Sequence, residues 1–338
     1  MGLKLAIIGL LVLLQTVGAV AADRDDPFEF NDFPLKEAAR YPAWFKKSFL
    51  DLRDDLKEAV AAGKQGIVLY FGQANCAYCR MLLEVNFGLA DVAAYTQRHY
   101  DLIPIDILGG AEVTDLQGEV HSERQFAYRL KTTFTPTLVF FNGQGQEIFR
   151  LQGYYPPYQF RAGLEYAVDG HYQRESFADY LARGEDNPKF DPKELTEEPF
   201  FIPPPHNLDR TRIPGERPLA VFFERGECHA CDVLHGGPLR DPDIARAVRR
   251  LDVVQLDMQG EQPLITPAGR VSSPRDWARA LGLFYAPSLL FFDEQGREVL
   301  RVDSVVGFYR LQNVLSYINS GAYRSEPSYL RWRASQGH

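Results

Sequence analysis

Every cysteine of this 338-residue chain lies in one of two Cys-x-x-Cys motifs, Cys76-Ala77-Tyr78-Cys79 and Cys228-His229-Ala230-Cys231. None is left over for a structural disulfide elsewhere. Two thiols at this spacing can close a disulfide and reopen it, and a pair that follows an apolar strand and opens a helix reads as a dithiol redox centre. Both motifs meet that condition, since residues 67–71 and 219–223 are apolar runs of strand character and a helix-like stretch follows each motif. At such a junction the first cysteine sits at a helix N-terminus, where unpaired backbone N–H groups and the helix dipole stabilise a thiolate. Cys76 and Cys228 are therefore the expected nucleophiles, with Cys79 and Cys231 resolving the mixed disulfide.

The neighbouring residues tune that chemistry. Ala77 and Tyr78 add no charge to the first motif, whereas in the second a protonated His229 would stabilise the Cys228 thiolate against the opposing Glu224, Glu227 and Asp232. Tyr78, His229 and Glu224 are the modulating candidates, and the two motifs should differ in potential. Glu224 is read chiefly as a solvated loop acid, with proton transfer to the resolving cysteine as its alternative. A metal reading also exists, because Cys228, Cys231 and His235, with His229 nearby, have spacings that zinc or copper can use. The first motif lacks those histidines, however, and neither motif is followed directly by the histidine of a haem-attachment sequence. No metal and no other cofactor is assigned.

The elements that must position these residues occur in duplicate. Asp106, Gly118, Pro136 and Gly145 recur 151 residues later as Asp257, Gly269, Pro287 and Gly296, and the cysteines recur at 152. Gly153-Tyr154-Tyr155 is echoed by Gly307-Phe308-Tyr309, and Tyr166 and Tyr172 by Tyr317 and Tyr323. A period this long means duplicated domains. The length suits about two domains, and 45% apolar with 13% aromatic residues suits globular packing. In each copy the expected order is strand, helix, strand, helix, hairpin, helix. An amphipathic helix over 42–62, with Phe45, Phe49, Leu52, Leu56 and Val60 on one side, precedes the first strand. The Cys76 motif opens a helix reaching about His99, 102–108 is the second strand, and 109–120 is a loop. Ser122 and Gln125 form a capping box, Ser273-Pro274 starts the matching helix, and Asn142-Gly143 and Glu294-Gln295-Gly296 turn the hairpins.

At the N-terminus an apolar run over 5–14 follows Lys4, and Ala19-Val20-Ala21 offers the small residues a signal peptidase needs. Residues 1–22 are read as a cleaved secretory signal, the alternative being an uncleaved segment anchored in the membrane. Its removal takes away one lysine and no acid, moving the formal charge from -8 to -9. Such an acidic chain has no pull towards nucleic acid or anionic lipid. The remaining divisions are an acidic, flexible leader at 23–41, domain 1 at 42–184, a proline-rich linker at 185–217 and domain 2 at 218–338. Residues Tyr154, Tyr155, Tyr158 and Phe160 are read either as a peptide-binding rim or as packing.

The two motifs, each followed about sixty residues later by a proline that opens an apolar strand, resemble tandem thioredoxin domains. The resemblance implies an α/β fold of two tandem thioredoxin-fold domains, each a central mixed β-sheet flanked by helices. It also implies that Pro136 and Pro287 are cis, and that Thr135, Pro136, Ala286 and Pro287 contact substrate through the backbone. The cysteine-to-proline spacings of 60 and 59 residues resemble the periplasmic group that includes SoxW-type proteins and disulfide isomerases. Where that family has tryptophan before the first cysteine this chain has Asn75 and Glu227, and where it has a buried acid six residues ahead this chain has Tyr70 and Phe222. The expected function is an exported, periplasmic thiol:disulfide oxidoreductase acting on client proteins with disulfides. Reductase is the first reading, isomerase the second and oxidase the third. In an oxidising compartment such a dithiol needs an upstream electron donor or acceptor thiol protein. No nucleic-acid partner and no stable membrane anchor are expected. A reading of another class is a substrate-binding holdase, or metal-binding protein, without redox turnover.

Overall fold

A computed structural model describes residues 26–184 and 194–336. The expected signal sequence and its cleavage site lie outside the described residues. No helix among the described residues is long and apolar enough to cross a membrane.

In domain 1 the central strand β1 (Gly66–Gly72) is buried along its whole length. It lies between β2 (Tyr100–Asp106), which runs parallel to it, and β5 (Thr137–Asn142), which runs antiparallel. The hairpin partner β6 (Glu147–Gln152) completes the order β2-β1-β5-β6. The segment expected to be a plain loop carries the short hairpin β3 (Glu112–Thr114) and β4 (Val120–Ser122).

The first helix is shorter than its pattern suggests. Leu50 takes a left-handed φ of 64°, and the Asp51 carboxylate then accepts the N–H groups of Arg53 and Asp54, so α1 is Leu52–Ala61. Phe49 and Val60, expected on its apolar face, are exposed, while Leu52 and Ala59 are buried. The helix after the first motif is also broken, into α2 (Ala77–Met81), a π-helical turn and α3 (Ala90–His99). At Gly88, in the break, a Cβ would fall 1.9 Å from the Glu84 carbonyl oxygen, so the chain turns where only glycine fits. The capping box of Ser122 and Gln125 starts α4 (Glu123–Arg129), and α5 (Pro157–Val168) and α6 (Phe177–Gly184) close the domain.

Domain 2 repeats this plan in strands β7 (Leu219–Glu224), β8 (Asp252–Asp257), β9 (Leu264–Ile265), β10 (Val271–Ser272), β11 (Ser288–Phe292) and β12 (Glu298–Val302). Its sheet order is β12-β11-β7-β8, with β7 and β8 parallel. The helices are α7 (His229–Gly236), α8 (Pro242–Val248), α9 (Pro274–Ala280), α10 (Phe308–Asn319) and α11 (Tyr329–Ser335). Strands β6 and β12 start at Glu147 and Glu298, and helices α5 and α10 at Pro157 and Phe308, so the 151-residue shift holds throughout this region. Gly153 is thus the counterpart of Ser304, not of Gly307.

Part of the expected linker belongs to domain 2. Ile202 N–H donates to Val253 on the edge strand β8, and Leu208 and His206 exchange backbone hydrogen bonds with Ile265. The Arg210 guanidinium is buried against Asp252 and the Arg217 and Asp293 carbonyls. Domain 2 has no counterpart of α1, and this segment supplies the missing cover.

The domains interlock. Tyr285 and Val305 of domain 2 lie in the core of domain 1, while Phe134 lies in the core of domain 2 and Leu330 of α11 joins the other face of domain 1. Phe134 and Tyr285 are counterparts at the 151-residue shift, each two residues before its proline. Across the joint Val305 N–H donates to the Tyr154 carbonyl. Tyr154, Tyr155 and Phe160 are buried in this packing and only Tyr158 is exposed, which removes the peptide-rim reading for those three residues.

Candidate active site

Both motifs stand where a strand hands over to a helix, and both are disulfides, Cys76–Cys79 and Cys228–Cys231. Each first cysteine is the N-cap of its helix in extended backbone geometry. Cys76 Sγ accepts the Cys79 N–H at 2.9 Å, and Cys228 Sγ accepts the Cys231 N–H at 3.1 Å. A thiolate formed at either sulfur inherits that N–H, which favours the ionised form. Thr135-Pro136 and Ala286-Pro287 are both cis. Cys228 Sγ lies 3.4 Å from the Ala286 carbonyl oxygen, so the second motif and its proline loop are in contact.

The surroundings then diverge. Cys76 is 5% exposed and Cys79 1%, whereas Cys231 is buried but Cys228 only half-buried. Domain 1's motif is covered by domain 2. The Arg310 guanidinium of α10 sits 3.5 Å over the Tyr78 ring centre and donates to the Thr135 carbonyl at 3.0 Å, the group expected to receive substrate. Its other nitrogen donates to Ser304 Oγ and the Val305 carbonyl, so the cation is held by oxygens and by the faces of Tyr78 and Phe134. Tyr78 is itself buried, and that burial pushes its hydroxyl well above the ordinary tyrosine value, keeping it a neutral donor and acceptor. It donates to Asp32 Oδ2 and accepts the Gly307 N–H, both at 2.7 Å. Tyr78 therefore works here as an inter-domain tie.

The leader, expected to be flexible, is part of the site. Asp26 Oδ2 lies 2.6 Å from His229 Nε2, and Phe28 packs edge-on against that imidazole. Two residues on, Phe30 packs edge-on against Tyr78 and Tyr154. The buried Asp32 carboxylate accepts the N–H groups of Tyr309 and Arg310, capping α10 from outside its own domain. Leu35 and Ala39 N–H then donate to the Asn75 and Ala74 carbonyls just before Cys76. One strap thus touches the middle residue of both motifs.

Glu224 is not a solvated acid. It is 1% exposed at the end of β7, where it accepts from Gln255 Nε2 at 2.9 Å and faces His235 Nε2 at 3.1 Å. The other His235 nitrogen faces Glu198 at 3.1 Å. Burial pulls the His235 pKa down, but the two carboxylates outweigh it and hold it above the ordinary value. With both ring nitrogens directed at carboxylates, His235 does not join Cys228 and Cys231 in a metal-ligating set. In domain 1 the counterparts of Glu224 and His235 are Gly72 and Leu83, so this polar cluster belongs to domain 2 alone.

Sequence reasoning missed Asp32, Arg310, Phe134 and Tyr285. Phe134 and Tyr285 carried a usable signal, since both are aromatics placed identically before the two prolines. Arg310 and Asp32 carried none, because their role exists only after the domains dock.

The thioredoxin-like domain family matches this chain twice, over residues 52–168 and 204–319. No curated protein matches it. Among solved structures, a thioredoxin-fold protein from Helicobacter pylori is 24% identical, with 42% of this chain and 86% of that chain covered and a TM-score of 0.33. A disulfide isomerase from Xylella fastidiosa is 20% identical over 44% of this chain and 100% of its own, with a TM-score of 0.25. The DsbH oxidoreductase is 15% identical over 39% and 88%, with a TM-score of 0.29. The two family matches take in more than half of the chain and fall one on each of two domains of the expected sheet order, so this protein belongs to the thioredoxin-like domain family, in tandem.

Proposed function

We propose that the protein is an exported thiol:disulfide oxidoreductase that reduces disulfides of other exported proteins, with domain 2 as the protein-facing module. The observation that carries this reading is the half-buried Cys228, set at a helix N-cap beside its resolving Cys231 and in contact with the cis Ala286-Pro287 loop. In the reaction the Cys228 thiolate attacks a client disulfide and releases one client thiolate. Cys231 then attacks Cys228 Sγ, closes the enzyme disulfide and frees the second client thiolate, with the two electrons coming from the enzyme dithiol. An exported dithiol protein returns the pair to its reduced state. An isomerase that grips one misfolded client between two modules fits less well, because Cys76 is buried and Arg310 occupies the Thr135 carbonyl beside it, so only one motif meets a protein chain directly.

The test is a redox titration of the mature protein in glutathione buffers, with each pair followed by mass spectrometry of alkylated peptides. A Cys228–Cys231 potential near or below about -250 mV is expected of a reductase. A value of about -120 to -180 mV would turn the reading to oxidase or isomerase. If neither pair titrates and the cysteine-free chain still protects unfolded clients, the protein is a holdase.

A further inference from the structure

The first motif opens onto a cavity of about 440 Å³ between the domains. Its lining includes Cys76, Thr135, Asp106 and Asp32, and from domain 2 Arg310 and Arg333. We propose that this cavity binds a low-mass zwitterionic disulfide, of the amino-acid or short-peptide class, and presents it to Cys76. The assignment rests on the redox reading above and divides the work between the domains: domain 2 meets proteins and domain 1 meets small molecules.

Access is the first argument. An extended client chain would need the Thr135 carbonyl, which Arg310 occupies, and the space beside Phe134, which lies in the core of domain 2. Seating a protein on Cys76 therefore requires the domains to part, while a small molecule has only to enter the cavity. Its volume falls within the roughly 300–1,000 Å³ of small-molecule sites.

Charge is the second argument. Among the described residues neither Arg310 nor Arg333 makes an ion pair with a carboxylate. Arg333 donates to Asn313 Oδ1 and the Tyr309 hydroxyl, and Arg310 to two carbonyls and the Ser304 hydroxyl. Buried or half-buried guanidinium groups ordinarily find an anion, and the planar fork suits a carboxylate. The Asp32 carboxylate is already held by the Tyr78 hydroxyl and two N–H groups, which leaves Asp106 as the lining acid able to meet an ammonium group. Two cations and an acid around one cavity match a molecule that carries both charges.

The chemistry balances with the dithiol as reductant. The Cys76 thiolate attacks one sulfur of the small disulfide, its S–S bond breaks, and one thiolate leaves and takes a proton from water. Cys79 then attacks Cys76 Sγ, the second small thiolate leaves, and Cys76–Cys79 is restored as a disulfide. An exported dithiol protein is the reductant for the next cycle.

The test mixes the reduced full-length protein with glutathione disulfide, neutral hydroxyethyl disulfide or dicationic cystamine, and follows both pairs by acid quench and peptide mass spectrometry. Arg333→Gln should slow oxidation of Cys76–Cys79 by glutathione disulfide about tenfold, the loss of one charge-assisted contact. Hydroxyethyl disulfide should be unaffected, Arg333→Lys should recover most of the rate, and the Cys228–Cys231 rate should report that the variant is folded. Arg333→Gln slowing all three probes alike, or none, would overturn the site while leaving the redox reading intact. If the wild-type Cys76 pair resists all three probes, both the site and the redox reading of domain 1 fail.

Discussion

Cys76 and Cys228 cap equivalent helices, follow equivalent strands and stand near equivalent cis prolines, yet the first is 5% exposed and the second is half-buried. Around Cys76 the cover includes groups that domain 1 does not itself supply, Arg310 of domain 2 and the strap at 26–39. The aromatic residues before the two prolines are exchanged symmetrically, but the groups that seal Cys76 are not. Arg310 has Gln159 as its counterpart in domain 1, and the strap at 26–39 exists once, ahead of the first copy. Duplicating a motif-bearing face and then packing one copy through that face leaves the Cys228 motif the more exposed of the two. The closed copy keeps its dithiol and acquires a cavity.

The sharpest way to break this comparison is to remove the nucleophiles one at a time. Cys228→Ser should bring the reduction of a folded protein disulfide down to background, because no thiolate remains where a protein can reach it. Cys76→Ser should retain at least about half the rate. In the reduced wild type, a bulky maleimide should label Cys228 on the order of a hundredfold faster than Cys76, since labelling of Cys76 waits for the domains to open. Equal labelling would mean that the interlock opens freely in solution.

Asp32→Ala tests whether the strap holds the seal. The substitution leaves the Tyr78 hydroxyl and the Tyr309 and Arg310 N–H groups without their carboxylate, in a site where Asp32 is 5% exposed. A loss of about 2–4 kcal/mol is expected, read as a lower urea midpoint. Labelling of Cys76 should rise about tenfold or more at the same time, while labelling of Cys228 stays within about twofold. A stability loss with no gain in Cys76 labelling would show that the strap supports the fold without gating the site.

Glu224→Gln addresses the polar cluster that only domain 2 has. His235 is buried, which opposes its charge, but Glu224 and Glu198 hold its pKa above the ordinary value. The stability this contributes is complete below the unfolded histidine pKa of about 6.5 and is lost as pH rises through the raised folded value. The variant should therefore cost about 1–2 kcal/mol at pH 6 and progressively less at higher pH, seen by urea denaturation across that range. A cost independent of pH would mean that the Gln255 hydrogen bond, not the histidine charge, is what Glu224 secures.

How far the chain announced this architecture can be judged residue by residue. Strand periodicity, the repeat of Pro136 as Pro287 and the cap residues Ser122 and Ser273 are local signals, and the sheets and helix starts follow from them. The left-handed Leu50 and the close approach at Gly88 are local as well, but they override an apolar period that continues through them, so helices read from periodicity ran too long. Burial of Glu224 is tolerable because His235, four residues past Cys231, and Gln255 meet its carboxylate, while Glu198, from a segment that reads as linker, faces the other histidine nitrogen. Asp32 looked like a residue of an acidic leader because the helix it caps begins 276 residues later in sequence.

The smallest effect is expected at the outer end of the strap. Burial is the largest single influence on the Asp26 carboxyl and raises its pKa, but the His229 contact and the Phe28 and Glu29 N–H groups together outweigh it, so the carboxyl stays below its ordinary value. Its contribution is present above the unfolded carboxylate pKa of about 3.9 and disappears as pH falls through the lower folded value. Because His229 is largely exposed, the pair is screened, and Asp26→Asn should cost less than about 1 kcal/mol at pH 6. The difference in thermal midpoint from wild type should shrink as pH drops below about 4, and Cys228 labelling at pH 7 should rise no more than about twofold. A much larger rise would move the latch of the strap from Asp32, at the sealed site, to Asp26, at the open one, and would make the half-buried state of Cys228 a property of the leader rather than of domain 2.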